Sequence, residues 1–317
     1  MESHADEVVL DGDAFRIYRS GKMDRLHIPT LVPPGRDPAT GVTSKDVVLD
    51  PGSGLSARLF LPDLSSSGEK LPVLVFFHGG AFLIESAFST GYHGYVSSLA
   101  AAAGVLAVSV EYRLAPEHPV PAAYDDAWAA LQWTASAQDE WIAEHGDLGR
   151  LFLAGDSAGG NMVHNVLIGL ASSSDNSAPR IEGAILLHPW FGGNTLVEGE
   201  DEVMAKGMAT IWEFACPGAG GGADDPRMNP TAPGAPGLEN LRCERMLVCA
   251  GAEDWATPRA RAYYAALSTS PWRGSAAWIE SEGEGHLFFL EKPECEKAKE
   301  LMDRVVSFVA VASARNG

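Results

Sequence analysis

The apolar run Leu151-Phe152-Leu153-Ala154 stops at Gly155-Asp156-Ser157-Ala158-Gly159, and the residues that follow, 161–170, carry a helical pattern. A strand can turn straight into a helix only if side chains are missing where the two backbones cross. Glycine two positions before and two after Ser157 meets that demand. The residue at the apex is pushed outward, and here it is a serine. A serine hydroxyl is a poor nucleophile at neutral pH, so an apex serine acquires a purpose only beside a base and beside N–H donors for a developing oxyanion. The rest of the chain has to supply both.

Upstream, Pro72-Val73-Leu74-Val75-Phe76-Phe77 reads as a buried strand ending in His78-Gly79-Gly80-Ala81-Phe82. This fits a loop of the HGGG type, whose backbone N–H groups join that of the residue after the nucleophile in an oxyanion hole. The expected donors are Gly79, Gly80, Ala81 and Ala158. Alanine as the third member keeps the N–H that the role needs. Downstream, the strand-like Met246-Leu247-Val248-Cys249-Ala250 leads into Gly251-Ala252-Glu253-Asp254. Asp254 is the expected acid, with Glu253 its competitor, since either carboxylate could orient an imidazole. The expected base is His286, in Ser281-Glu282-Gly283-Glu284-Gly285-His286 after the strand-like Ala276-Ala277-Trp278-Ile279. The order Ser, Asp, His is the one that nucleophile elbows of this type use.

The other histidines have duller readings. His4 and His27 lie in the N-terminal segment, His93 and His118 in polar surroundings, His145 near a helix end and His164 in the helix after the elbow. His188 ends a strand at 181–187 but precedes Asp254, so it reads as structural; His78 is expected to hold the oxyanion loop by a hydrogen bond.

Alternation at Ser44–Leu49 and Leu55–Leu61 predicts an antiparallel pair around the turn Pro51-Gly52-Ser53-Gly54. Strands at 73–77, 105–110, 150–154, 181–187, 246–250 and 276–279 then alternate with helical segments. That rhythm predicts an α/β class with a mainly parallel central sheet, helices on both faces and functional loops at the carboxyl ends of the strands. The segment 1–40 and the insertion at about 191–240, with a helical piece at 203–214, stand outside the rhythm and are expected to form a small cap on a single domain spanning 1–317. Phe82, Trp190, Phe191, Trp212 and Phe214 are candidate pocket residues, the last four having the core of the cap as their alternative place; in the pocket, the bulk of Trp212 and Phe214 is expected to favour short acyl chains.

Taken together, HGGAF at 78–82, VEYRLAPEHP at 110–119, GDSAGGN at 155–161 and EGEGH at 282–286 resemble the hormone-sensitive-lipase branch of the α/β hydrolases, and within it the plant carboxylesterases. The likeness extends over nearly the whole chain, including IYRSGK at 17–22 and HPWF at 188–191. It implies an α/β hydrolase fold and a serine carboxylesterase that takes a small-molecule ester and needs no cofactor or metal. The same branch holds gibberellin receptors, in which the catalytic histidine is replaced, and 2-hydroxyisoflavanone dehydratases, whose leguminous forms carry threonine at the nucleophile position. Ser157 and His286 favour the esterase over the silent receptor and the dehydratase.

A formal charge of −19 over 317 residues, with no Lys/Arg run, disfavours nucleic acid and anionic membranes as partners. Cys216, Cys243, Cys249 and Cys295 show no metal-ligand spacing, the first residues lack a basic flank with an apolar core, and no stretch has the length and purity of a membrane span. The expectation is a cytoplasmic protein with reduced thiols.

Overall fold

Along the central strands every second side chain enters one of two separate apolar layers, the mark of a sheet covered on both faces. In the computed structural model, which describes residues 7–64, 68–172 (172 by its backbone only) and 178–311, Val73, Val75 and Phe77 face one layer while Leu74 and Phe76 face the other. Leu151 and Leu153 against Phe152 and Ala154, and Met246 and Val248 against Leu247 and Cys249, divide the same way. His4 and the first residues of the segment 1–40 lie outside the described residues.

Three short strands come first, β1 (Val8–Asp11), β2 (Phe15–Tyr18) and β3 (Met23–Arg25), paired antiparallel in a sheet of their own. This small sheet was not expected. Its strands bury only Phe15 and Ile17 among their side chains, too few to stand out as alternation. The main sheet holds β4 (Thr43–Asp50), β5 (Leu55–Leu61), β6 (Leu71–Phe77), β7 (Leu106–Glu111), β8 (Gly146–Asp156), β9 (Ile181–Leu187), β10 (Cys243–Gly251) and β11 (Ser275–Ser281). Its order is β11-β10-β9-β8-β6-β7-β5-β4. From β11 to β7 every pair is parallel, and β5 and β4 add an antiparallel edge.

Helices α1 (Thr90–Ala103), α2 (Ala122–Ala135), α3 (Glu140–His145), α4 (Ala158–Ser172), α5 (Glu202–Ala215), α6 (Thr257–Thr269), α7 (Phe288–Glu291) and α8 (Glu296–Ala310) occupy the connections. The side chains that α1, α7 and α8 bury pack into one layer, those of α2, α4 and α6 into the other. The two helices expected from sequence, at 161–170 and 203–214, are α4 and α5. Helix α5 leaves the sheet between β9 and β10 and is capped by Asp201, whose side chain accepts from Met204 N–H. The four cysteines are free thiols. No helix among the described residues is long and apolar enough to cross a membrane.

Candidate active site

Ser157 follows the last residue of β8 with φ +49°, a left-handed conformation that L side chains avoid. Close packing holds it there. A methyl group on Gly155 would come within 2.5 Å of Gly159 backbone and 2.8 Å of Phe77 O, and one on Gly159 would overlap the Phe77 carbonyl outright. The Ser157 N–H donates to Leu187 O at 2.9 Å and its carbonyl accepts from Trp190 N–H at 3.0 Å, so β9 and the residues after it brace the turn. Because α4 begins at Ala158, the nucleophile stands at the positive end of a helix, where negative charge is favoured.

The loops after β10 and β11 bring the other two side chains to it. His286 Nε2 is 3.1 Å from Ser157 Oγ, and its Nδ1 is 2.9 Å from each oxygen of Asp254. Of the two competing carboxylates it is therefore Asp254 that meets the imidazole. Glu253 is exposed, and its N–H donates to Glu284 O. Burial opposes the charge on Asp254, but N–H donors from His188 and His286 outweigh it and hold the carboxyl well below its usual range. An ionised carboxylate only accepts, so Nδ1 of His286 carries the proton and Nε2 is left free to take one from the serine. The Trp255 ring lies 4.8 Å from the imidazole and covers it.

Residues 80–82 all have positive φ, Ala81 at +56° and Phe82 at +63° following Gly80 at +106°. Such backbone persists only where the surroundings impose it. A methyl group on Gly80 would strike the Ile84 carbonyl. Among the described residues nothing accepts from the N–H groups of Gly80, Ala81 or Ala158. Gly79 differs from expectation. Its N–H is already donated to Tyr92 Oη at 2.9 Å and Asp156 Oδ1 at 3.1 Å, so it braces the loop instead of offering a donor. Asp156 also accepts from Tyr92 Oη at 2.7 Å; burial pushes its carboxyl up to about 7, against these hydrogen bonds. His78 stacks on Tyr112 at 4.2 Å and its Nδ1 donates to Gly79 O at 2.7 Å, with burial pushing it down to about 4 and so keeping it neutral. The bracing role expected of His78 matches this geometry. Neither Asp156 nor Tyr92 was singled out from sequence; the only local signal was a carboxylate inside an otherwise small-residue motif.

His188, read as structural from the sequence, lies beside the acid. Its Nδ1 is 2.6 Å from Asp254 Oδ2, so the acid serves two imidazoles. Ligand atoms of His188, Asp254 and His286 all lie within 4.8 Å of one another, the make-up of a metal site. Hydrogen bonds account for that closeness, each Nδ1 being already spent on the carboxylate.

A family profile described as alpha/beta hydrolase fold matches residues 74–290, which runs from β6 past His286. The chain belongs to the α/β hydrolases. Its relatives put this α/β hydrolase in the plant carboxylesterase branch. It is 44% identical over 313 residues to tuliposide A-converting enzyme 1, chloroplastic, of Tulipa gesneriana, covering 96% of this chain and 78% of that one. It is 41% identical over 309 residues to 2-hydroxyisoflavanone dehydratase of Glycyrrhiza echinata, covering 93% of each. Probable carboxylesterase 2 of Arabidopsis thaliana is 40% identical over 295 residues, covering 92% of this chain and 93% of that one. Among solved structures, a hyperthermophilic esterase from the archaeon Pyrobaculum calidifontis superposes with TM-score 0.68 at 28% identity, covering 84% of each chain.

In this hydrolase a cavity of about 340 Å³ opens beside the acid, walled by Phe191, Met204, Met208, Met228, Asp254 and Trp255. Of the candidate pocket residues only Phe191 lines it. Phe82, Trp190 and Trp212 are wholly buried and packed on one another at ring separations of 6.1 to 6.5 Å, and Phe214 packs partly buried against the same core. Large rings bury first, and methionines on the outer face of α5 are left for the wall. The case for short acyl chains from the bulk of Trp212 falls away for this cavity, since Trp212 is not among the residues that wall it. The N-terminal segment reaches the other side of the site: Arg25 donates to Leu83 O at 2.8 Å and Ala115 O at 2.9 Å, just beyond the strained loop.

Proposed function

We propose that the protein is a serine carboxylesterase that hydrolyses small to medium carboxylic esters through an acyl-enzyme. One observation carries this reading, the continuous row Ser157 Oγ, His286 and Asp254 at 3.1 and 2.9 Å beside the unengaged N–H groups of Gly80, Ala81 and Ala158. Ser157 Oγ attacks the ester carbonyl carbon while His286 Nε2 takes its proton, and Asp254 stabilises the imidazolium. The carbonyl π electrons move onto oxygen, where the N–H groups and the amino end of α4 hold the negative charge. Collapse breaks the bond to the alcohol, which leaves with the proton from His286. Water then repeats the sequence on the acyl-enzyme, releasing the acid and restoring Ser157. Residues 1–40 and 191–240 act as the cap, with the cavity beside α5 receiving one substituent of the ester.

The test is turnover of 4-nitrophenyl esters from acetyl to octanoyl, together with covalent labelling by a serine-directed phosphonate. Wild-type protein should do both, and Ser157→Ala neither, at unchanged thermal stability. Turnover that survives in Ser157→Ala would sink the proposal. The likeness to the Glycyrrhiza dehydratase supplies the second reading, which predicts consumption of 2-hydroxyisoflavanone with negligible ester turnover.

A further inference from the structure

Residue 188 sits where β9 ends, and a side chain is costly there. His188 has φ +48°, the left-handed region in which glycine or asparagine is the easy choice, and its N–H is held by Cys249 O at 2.7 Å. The ring is wholly buried, against Phe288 and Phe289 at 5.7 and 5.5 Å and edge-on to His286 at 5.8 Å. Its Nε2 finds no hydrogen-bond partner among the described residues. A strained backbone and an unpaired buried nitrogen both work against an imidazole at this position. What the imidazole supplies is the Nδ1–H at 2.6 Å from Asp254 Oδ2.

We propose that His188 is a positioning residue for the acid of the triad, an Nδ1–H donor that fixes the Asp254 carboxylate plane and tempers its basicity toward His286. This rests on the acyl-transfer reading given above. Asp254 accepts from Ala256 N–H at 2.8 Å on Oδ1 and from His188 on Oδ2, so its plane is clamped from both sides before His286 bonds to it. Because the ionised carboxylate cannot donate, the shared proton belongs to His188 Nδ1. The titratable groups acting on Asp254 are His188 and His286, and those acting on His188 are Asp254 and His286; the rings of Phe288 and Phe289 add no charge. Burial lowers the proton affinity of His188 by more than Asp254 raises it, which favours the uncharged ring. Were the donor lost, Oδ2 would keep an unmet buried lone pair and the carboxylate would hold the His286 proton more tightly. The imidazolium would then be better stabilised and would give its Nε2 proton to the leaving alcohol less readily.

Two substitutions separate positioning from packing. In His188→Asn the amide nitrogen takes roughly the place of Nδ1 and asparagine tolerates the left-handed backbone; His188→Phe fills the space but has no donor. With the Phe variant folded, kcat should fall about 10- to 100-fold at little change in KM. The acid limb of its kcat/KM profile should move to higher pH by about one unit. The Asn variant should restore both toward wild type. An unchanged pH profile and kcat in a folded Phe variant, or an Asn variant as damaged as Phe, would overturn the proposal. Nitrogen-15 histidine spectra of the full chain carrying Ser157→Ala test it without relying on either variant. At neutral pH His188 should show a single uncharged Nδ1–H tautomer, whereas an Nε2–H tautomer or an imidazolium would refute it. Absence of Ser157-dependent turnover in wild type would refute the esterase reading alone, since the spectra judge His188 regardless.

Discussion

Replacing Asp254 by asparagine preserves shape and reverses half of the hydrogen bonding. The Ala256 N–H faces Oδ1 at 2.8 Å, so the amide oxygen stays there and the NH₂ takes the place of Oδ2, opposite His188 Nδ1 at 2.6 Å and His286 Nδ1 at 2.9 Å. Donor then meets donor. Flipping the amide is worse, because a backbone N–H cannot change tautomer. His286 Nδ1 lies 2.9 Å from both positions, so it keeps the amide oxygen but now also faces the NH₂, and the conflict is relieved when its proton moves to Nε2, which presents an N–H to Ser157 Oγ at 3.1 Å and leaves nothing to accept the serine proton. Loss of the working tautomer costs on the order of 10⁴ in kcat, about 5 kcal/mol of barrier. Glu253→Gln, at an exposed side chain that makes no bond to His286, should change kcat by about twofold or less. Steady-state turnover of 4-nitrophenyl butyrate by both variants, with melting curves to confirm folding, gives the comparison. A folded Asp254→Asn enzyme keeping more than about a tenth of wild-type kcat would refute the tautomer argument, and a larger loss in Glu253→Gln would move the acid's role to that residue.

Two further outcomes follow from packing and from charge. Gly159→Ala should fail to reach the soluble folded state or should lose ester turnover, since its methyl overlaps the Phe77 carbonyl in the two elements that carry the nucleophile and the oxyanion loop; a soluble, fully active variant would show that the elbow is looser than its contacts imply. Burial pushes the Glu111 carboxyl up to about 7, against donors from Ser86 Oγ at 2.9 Å and Ala87 N–H at 2.6 Å, so the folded state holds this proton more tightly than the unfolded chain does. The stability it contributes is complete below about pH 4.5 and is lost as pH rises through 7, a window shared with Asp156. Glu111→Gln should therefore raise the melting temperature at pH 8 relative to pH 5, and an identical pH dependence in both proteins would refute the assignment.

Much of the site could be read because its signals are local. Gly155 and Gly159 announce a backbone crossing at Ser157 that no other residue permits, and the strands ending near 78, 254 and 286 put three loops at one sheet edge once the sheet is taken as parallel. The partner of the acid could not be read this way. His188 reaches Asp254 because Leu187 of β9 pairs with Cys249 of β10, which brings the two strand ends side by side. That register is a property of the folded sheet and leaves no mark around either residue. Tyr92 and Asp156 likewise meet only in the folded molecule, through the packing of α1 on the sheet, across 64 positions of chain. Trp212 misled in the opposite sense: an aromatic in an insertion can line a pocket or close a core, and only its neighbours Phe82 and Trp190 decide between them.

The strained residues show why such gaps fall where they do. Local preference assigns positive φ to glycine, yet Ala81, Phe82, Glu85, Ala137, Ser157, His188 and Leu287 adopt it, and all but Glu85 and Ala137 lie in the expected oxyanion loop, at Ser157, beside Asp254 or next to His286. Each departure costs free energy that tertiary packing must offset. Ser157 and His188 are held by the same edge, through Leu187 O and Cys249 O. A reading built on local propensity is therefore weakest at these positions, because there the side chain needed at the site and the backbone it prefers are in conflict. The flanking glycines revealed that conflict at Ser157. His188 has no such flank, being followed by Pro189 and Trp190, and so its place beside the acid emerges only from the assembled sheet.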